Sequence, residues 1–286
     1  MTFSYEFLSL ELHSTADAAI KWFSDNWGIS VKQVKVEQQI HPDVALRPIF
    51  HVLTHDCHTL CIEVSDSIYP KQLHKFILDC FERCLPVKLF VAIPKGLKDP
   101  DFVQKLTEAK RVGVGLIEVD DTSGNMIQSA LSLSLMALRP SGVSHFPPKY
   151  RQSLSQAEHT FRDGEPGKGC SLVYDEIEGL FRKITQRCYD RGWWPKPPKM
   201  SIRKGSWEKL IENWDATLDR EACKCPGLNR QLAGSLLGIT PHRNDAGHKP
   251  DSTRALIKRD SELRTRFESA VDLLRDLILG SKPLRP

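Results

Sequence analysis

Hydrophobic and polar positions alternate with two different textures along the chain. Ala16, Ile20, Phe23 and Trp27 repeat at helical spacing and predict a helix over residues 16–27. After Gly28 the texture turns β-rich, and the runs 31–38, 48–54, 59–64, 87–93 and 114–119 predict strands. Two helical patterns interrupt those runs. Residues 70–84 place Leu73, Phe76, Ile77, Cys80 and Phe81 on one stripe, and residues 99–110 carry Phe102, Val103 and Leu106. Strands alternating with helices argue a small α/β domain built on a mixed sheet. The apolar segment 127–138 closes it as a helix or a strand. Arg139-Pro140-Ser141-Gly142 and Phe146-Pro147-Pro148 then end regular structure, which predicts domains over 1–145 and 146–286.

The second half reads as helix throughout. Residues 171–189 align Val173, Ile177, Leu180, Phe181, Ile184 and Cys188, and residues 206–218 align Trp207, Leu210, Ile211, Trp214 and Leu218 behind a Ser206 cap. Residues 228–237 repeat Leu228, Leu232 and Leu236 and stop at Gly238. Residues 252–279 repeat Leu256, Leu263, Phe267, Ala270, Val271, Leu274 and Ile278. Four such stripes are what a four-helix bundle buries. The fold class expected is therefore α+β in two domains, an α/β mixed sheet followed by an all-α bundle.

Composition narrows the class of function. With 40% hydrophobic and 27% charged residues the 286-residue chain reads as globular, and no run of eighteen apolar residues suggests a membrane span. No charged-then-apolar leader follows Met1, so the eight cysteines are expected to be reduced thiols and the location cytoplasmic. Charge is uneven. Residues 1–150 carry 15 Lys and Arg against 17 Asp and Glu, whereas residues 151–286 carry 25 against 19. A basic second half suits a polyanionic partner.

Pro42-Asp43 at the head of one predicted strand and Cys61-Ile62-Glu63-Val64-Ser65 on a later one form a pair of carboxylates. Gly113-Val114-Gly115-Leu116-Ile117-Glu118-Val119-Asp120 adds a late strand. This set resembles the PD-(D/E)xK superfamily, whose restriction-endonuclease-like core holds Mg2+ on the Asp and Glu and uses a Lys on the attacking water. The resemblance implies Asp43 and Glu63 as metal ligands. Ser65 stands where that family has its Lys, so the charge stabilisation of the transition state is incomplete and a degenerate domain retained for binding or assembly is expected. The neighbouring His51, His55, Cys57, His58 and Cys61 lack a matching second pair at zinc spacing, and Cys80 and Cys84 read as core.

The second candidate is His242-Arg243-Asn244-Asp245-Ala246-Gly247-His248, between the third and fourth helical patterns. An Arg that keeps its charge beside a His that titrates near neutrality suits chemistry on a phosphate, and the same residue types also read as an ordinary polar turn between two helices. Arg-x4-His with a polar residue after the Arg, ahead of the last long helix of an all-α domain, resembles the HEPN superfamily over residues 150–280. That resemblance implies a metal-independent ribonuclease with no cofactor. His248 would act as general base or acid, Arg243 would stabilise charge on the phosphate and Asn244 would orient the groups. It also implies a homodimer with one Arg–His pair from each protomer facing a shared cleft.

Lys249 is expected as a second phosphate contact, and the basic aromatic loop with Trp193, Trp194 and Lys196 reads either as a plug for the end of the bundle or as faces on which unpaired bases stack. The expectation is an endoribonuclease of the prokaryotic toxin or defence type, acting on RNA, with the first domain regulatory or targeting and a partner protein or signal as activator. The alternatives are a Mg2+-dependent nuclease using Asp43 and Glu63, and a non-catalytic binding or scaffold protein.

Overall fold

The computed structural model describes residues 3–192, 202, 205–215, 229–239 and 250–282. The chain forms two compact units, Met1–Leu138 with Lys249–Ser261, and Arg139–His248 with Glu262–Pro286. The protein is mixed α and β.

The first unit runs α1 (His13–Trp27), β1 (Lys35–Val36), β2 (Phe50–Leu53), β3 (Thr59–Val64), α2 (Gln72–Glu82), β4 (Val87–Pro94), α3 (Phe102–Arg111), β5 (Gly115–Val119), β6 (Gly124–Gln128) and α4 (Leu133–Met136). One six-stranded sheet takes the strands in chain order. β1, β2 and β3 pair antiparallel, β3, β4 and β5 pair parallel, and β6 returns antiparallel to β5. Strand alternation sorts the core onto two faces. Leu60, Ile62 and Val64 of β3, with Phe90 and Ala92 of β4, meet Ala16, Ala19, Ile20 and Phe23 of α1. Cys61, Leu89, Val91 and Ile93 meet Leu73, Phe76, Ile77 and Cys80 of α2 and Ala109 of α3. Strands covered on both faces have no solvent side, hence the unbroken apolar run from Leu89 to Ile93.

One predicted strand shrinks. Residues 31–38 form a 3-10 turn at Val31–Gln33 and only the two-residue β1. Glu37 sits at φ 49°, a left-handed conformation no strand continues through. Its carboxylate accepts from the amides of Glu6 (2.7 Å) and Phe7 (2.9 Å), which holds it there. The apolar segment 127–138 is both of the things it resembled, the end of β6 and then α4.

The second unit contains α5 (Pro148–Arg162), α6 (Pro166–Asp190), α7 (Trp207–Asp215), α8 (Arg230–Gly238) and the part of α9 (Thr253–Gly280) from Glu262 onward. Its described residues include no strand. That is one helix more than periodicity predicted. α5 buries only Tyr150, Leu154, Ala157 and Phe161 among eleven polar or half-exposed positions, so its stripe is narrow. Gly169 lets α5 and α6 close together, because a Cβ there would lie 2.8 Å from Phe161 and 2.9 Å from the Ala157 carbonyl. Phe181 of α6 packs its ring 5.1 Å from Trp207 and 5.2 Å from Trp214, and Phe161 meets Phe267 at 5.1 Å. Asn229 caps α8 by accepting from the Leu232 amide at 3.0 Å. Among the described residues no helix is long and apolar enough to cross a membrane.

Candidate functional site

Seven of the nine sequence-predicted site residues, Arg243, Asn244, His248, Lys249, Trp193, Trp194 and Lys196, lie outside the described residues. Their flanks are described. α8 ends at Gly238, and Ile239 lines a cavity of about 490 Å3 in the helical unit with Tyr174, Ser235, Arg266, Ser269 and Leu273. The Tyr174 hydroxyl is buried there without a hydrogen-bond partner. Burial, and then the nearby Cys170, raise it well above the usual phenol range.

Asp43 and Glu63, the carboxylates of the metal reading, have different surroundings. Asp43 is largely exposed at 65% and engages His41 at 3.9 Å and Arg83 at 3.8 Å. Glu63 is buried on the α2 face of β3, with Oε2 lacking a hydrogen-bond partner. Burial pushes its carboxyl up to about 7, against the lowering pull of the Ile49 main chain and the Gln72 side chain, and Glu37 adds a further upward push. Ser65 turns its hydroxyl to the Ser67 amide at 3.0 Å. Among the described residues no three His, Cys, Asp or Glu side chains gather as a metal site. Cys61 and Cys80 share the α2-side core, and burial drives both thiols upward, Cys80 to about 12.

A polar network that the sequence reading missed lies elsewhere in the first unit. The turn from Thr54 to His58 closes through Thr54 N to His58 O (2.9 Å), Thr54 Oγ1 to His58 O (2.8 Å) and Cys57 N to Thr54 O (3.1 Å). Lys88 at the start of β4 donates to Asp56 at 2.8 Å. Although burial would raise it, hydrogen bonds from Lys88 and Thr54 and the charges of His58 and Lys88 hold Asp56 well below the usual carboxylate range. Burial lowers His58, Lys88 lowers it further, and Asp56 and Asp260 oppose them. Asp260 is only 1% exposed; it accepts from Ser134 Oγ at 2.7 Å and pairs with Arg259 at 3.0 Å. A sequence signal for it exists. Asp260 falls on the apolar stripe between Leu256 and Leu263, where a carboxylate has to find a partner.

No protein-family model, no curated protein and no solved structure matches this chain.

Proposed function

We propose that the protein is a metal-independent endoribonuclease whose catalytic residues are Arg243, Asn244 and His248. The carrying observation is the place of Arg243-x4-His248 between the end of α8 and the start of α9, in a unit whose described residues are helical. RNA brings its own nucleophile, the 2′-hydroxyl. His248 takes the proton of that hydroxyl or gives one to the departing 5′-oxygen, and Arg243 meets two phosphate oxygens with its planar fork. The product end is a 2′,3′-cyclic phosphate. Trp193, Trp194, Lys196 and Lys249 serve RNA binding, and the active form is a homodimer in which two Arg–His pairs face one cleft.

In this reading the first unit is a restriction-endonuclease-like domain that has kept its sheet and lost its chemistry. Its mixed sheet with helices on both faces supports the relationship. Ser65 in the Lys position and the engagement of Asp43 by Arg83 support the loss.

The test uses labelled RNA and DNA, with and without EDTA, beside His248→Ala and Glu63→Ala. RNA cleavage that survives EDTA and disappears in His248→Ala is expected, with Glu63→Ala unchanged. Cleavage lost to EDTA or to Glu63→Ala, with His248→Ala intact, refutes the proposal in favour of a Mg2+-dependent nuclease. A strictly monomeric mass at micromolar concentration refutes the composite cleft.

A further inference from the structure

The cavity of about 490 Å3 in the helical unit lies among α6, α8 and α9, and its size is that of a small-molecule site. Tyr174 of α6 stands in its wall with Ile239 at the end of α8 and Leu273 of α9. Around them α9 presents a polar stripe, Thr265, Ser269, Asp272 and Asp276, repeating at the three- and four-residue steps that share one helix face. All of these residues belong to one compact unit.

Two polar groups of this lining have no partner among the described residues. The first is the Tyr174 hydroxyl. Tyr174 is 3% exposed, and no hydrogen bond reaches its oxygen. Its titratable neighbours are occupied elsewhere. Cys170, one turn earlier, directs its thiol to the Leu263 carbonyl at 3.5 Å, and Arg266 engages Glu262 at 3.8 Å. Buried polar groups are nearly always paired, so a bare hydroxyl in a cavity wall calls for a partner that enters from outside. The Arg266 charge acts on that hydroxyl, so the two stand together at the buried end of the cavity. The second group is the Asp276 carboxylate, which is exposed and makes neither a hydrogen bond nor an ion pair among the described residues. Asp272, by contrast, is matched by Arg139 and Arg275, each at 2.6 Å. Asp276 also lines an adjoining cavity of about 380 Å3 with Asn229, Gln231 and Leu279, which places it at the mouth.

We propose that this cavity binds a small organic amine that carries a carbonyl oxygen on an apolar body. The oxygen accepts from the Tyr174 hydroxyl beside Arg266, the ammonium faces Asp276, and the apolar body covers Ile239 and Leu273. A phenol raised by burial keeps its proton at neutral pH, so Tyr174 is a donor there. A plain anion fits less well, because Asp276 is the charge left unmatched in the lining and repels it. A neutral amide leaves Asp276 as it was. The buried hydrogen bond contributes more to affinity than the exposed ion pair, which water screens. The inference does not depend on the ribonuclease reading.

The experiment titrates the full-length protein, labelled at its Ile and Leu methyl groups, with three probes at about pH 6, where a free amine is charged. L-phenylalaninamide has both ends, 3-phenylpropanamide lacks the ammonium and phenethylamine lacks the carbonyl. Saturable shifts of the Ile239 and Leu273 methyls are expected, with L-phenylalaninamide binding tightest. Tyr174→Phe removes a single oxygen and is expected to weaken the two carbonyl probes by about three- to tenfold while leaving phenethylamine unchanged. Asp276→Asn, at an exposed position, is expected to weaken the two amines by about two- to fivefold and to leave 3-phenylpropanamide unchanged. Absence of saturable shifts at Ile239 and Leu273 with all three probes overturns the proposal. Carbonyl probes that bind Tyr174→Phe as tightly as wild type also overturn it, and assign the hydroxyl to a water. Amines indifferent to Asp276→Asn overturn the ligand class.

Discussion

Ser134 Oγ lies 2.7 Å from a carboxylate oxygen of Asp260, and both side chains are almost wholly buried, each at 1% exposure. They are 126 positions apart, yet belong to one compact unit. A buried carboxylate is costly unless its oxygens are satisfied, and here Arg259 and Ser134 share that task. Ser134→Ala removes one donor and leaves the charge in place. The expected loss is about 1–3 kcal/mol, the cost of an unsatisfied buried acceptor. Urea unfolding followed by fluorescence measures it. A midpoint unchanged from wild type would show that water replaces the hydroxyl.

Gly169 is needed for the contact between α5 and α6 rather than for any turn. Its added Cβ would meet the Phe161 side chain at 2.8 Å and the Ala157 carbonyl at 2.9 Å, and the latter is backbone that has little room to give. Gly169→Ala improves helix propensity by about 1 kcal/mol, but overpacking typically costs about 1–3 kcal/mol. The clash wins because Phe161 is fully buried against Phe267. Gly169→Val, which adds a branched side chain at the same spot, is expected to be worse than Gly169→Ala. Thermal melts of the two variants decide it. An Ala variant more stable than wild type would mean that the helices slide apart freely.

Arg182 of α6 uses its whole fork. Nε donates to Glu178 at 2.8 Å, one terminal nitrogen donates to the Ile202 carbonyl at 2.5 Å and the other to the Gly205 carbonyl at 3.1 Å. Those carbonyls precede α7, so the guanidinium fixes how the chain enters it. Lys keeps the charge and cannot present three donors in that geometry. Arg182→Lys is therefore expected to cost about 1–2 kcal/mol, with most of the effect local to α7. Amide exchange at Leu210 and Ile211 reads this directly. Protection equal to wild type would refute the assignment.

The sheet and its two helical covers were legible because their residues repeat on two faces. Phe90 and Leu89 are adjacent, apolar and buried on opposite sides, and only a doubly covered strand asks for that. The shortness of β1 was not legible. It depends on Glu37 reaching back to the amides of Glu6 and Phe7, some thirty positions away, and no local pattern carries such a contact. α5 was hidden for the opposite reason, since its four buried residues are diluted by polar ones and Gly169 on α6 does part of the packing for it. At the candidate site, Asp43 and Glu63 were legible as carboxylates, while their different environments were not. Spacing in sequence says nothing about whether a carboxyl is solvated beside Arg83 or buried beside Gln72.

That difference makes Glu63 a measurable feature of the whole fold. Its carboxyl titrates from an ordinary value of 4.5 to about 7 in the folded chain, first because burial disfavours the charged form and then because Glu37 is near. Below the unfolded value both states hold the proton and the group contributes no pH dependence. Between the two values the folded state keeps a proton that the unfolded state has released, so stability falls as pH rises. Above about 7 the loss is complete, and a gap of this size corresponds to about 3 kcal/mol. Glu63→Gln removes the titration and keeps the volume. The variant is expected to track wild type near pH 4 and to gain on it steadily through pH 7, reaching its full advantage by pH 8. Denaturant midpoints across that range test the sign as well as the size. Parallel curves for the two proteins would show that the carboxyl is solvated after all, and a variant that loses ground as pH rises would show that the folded state holds the carboxylate charged through a partner of opposite sign.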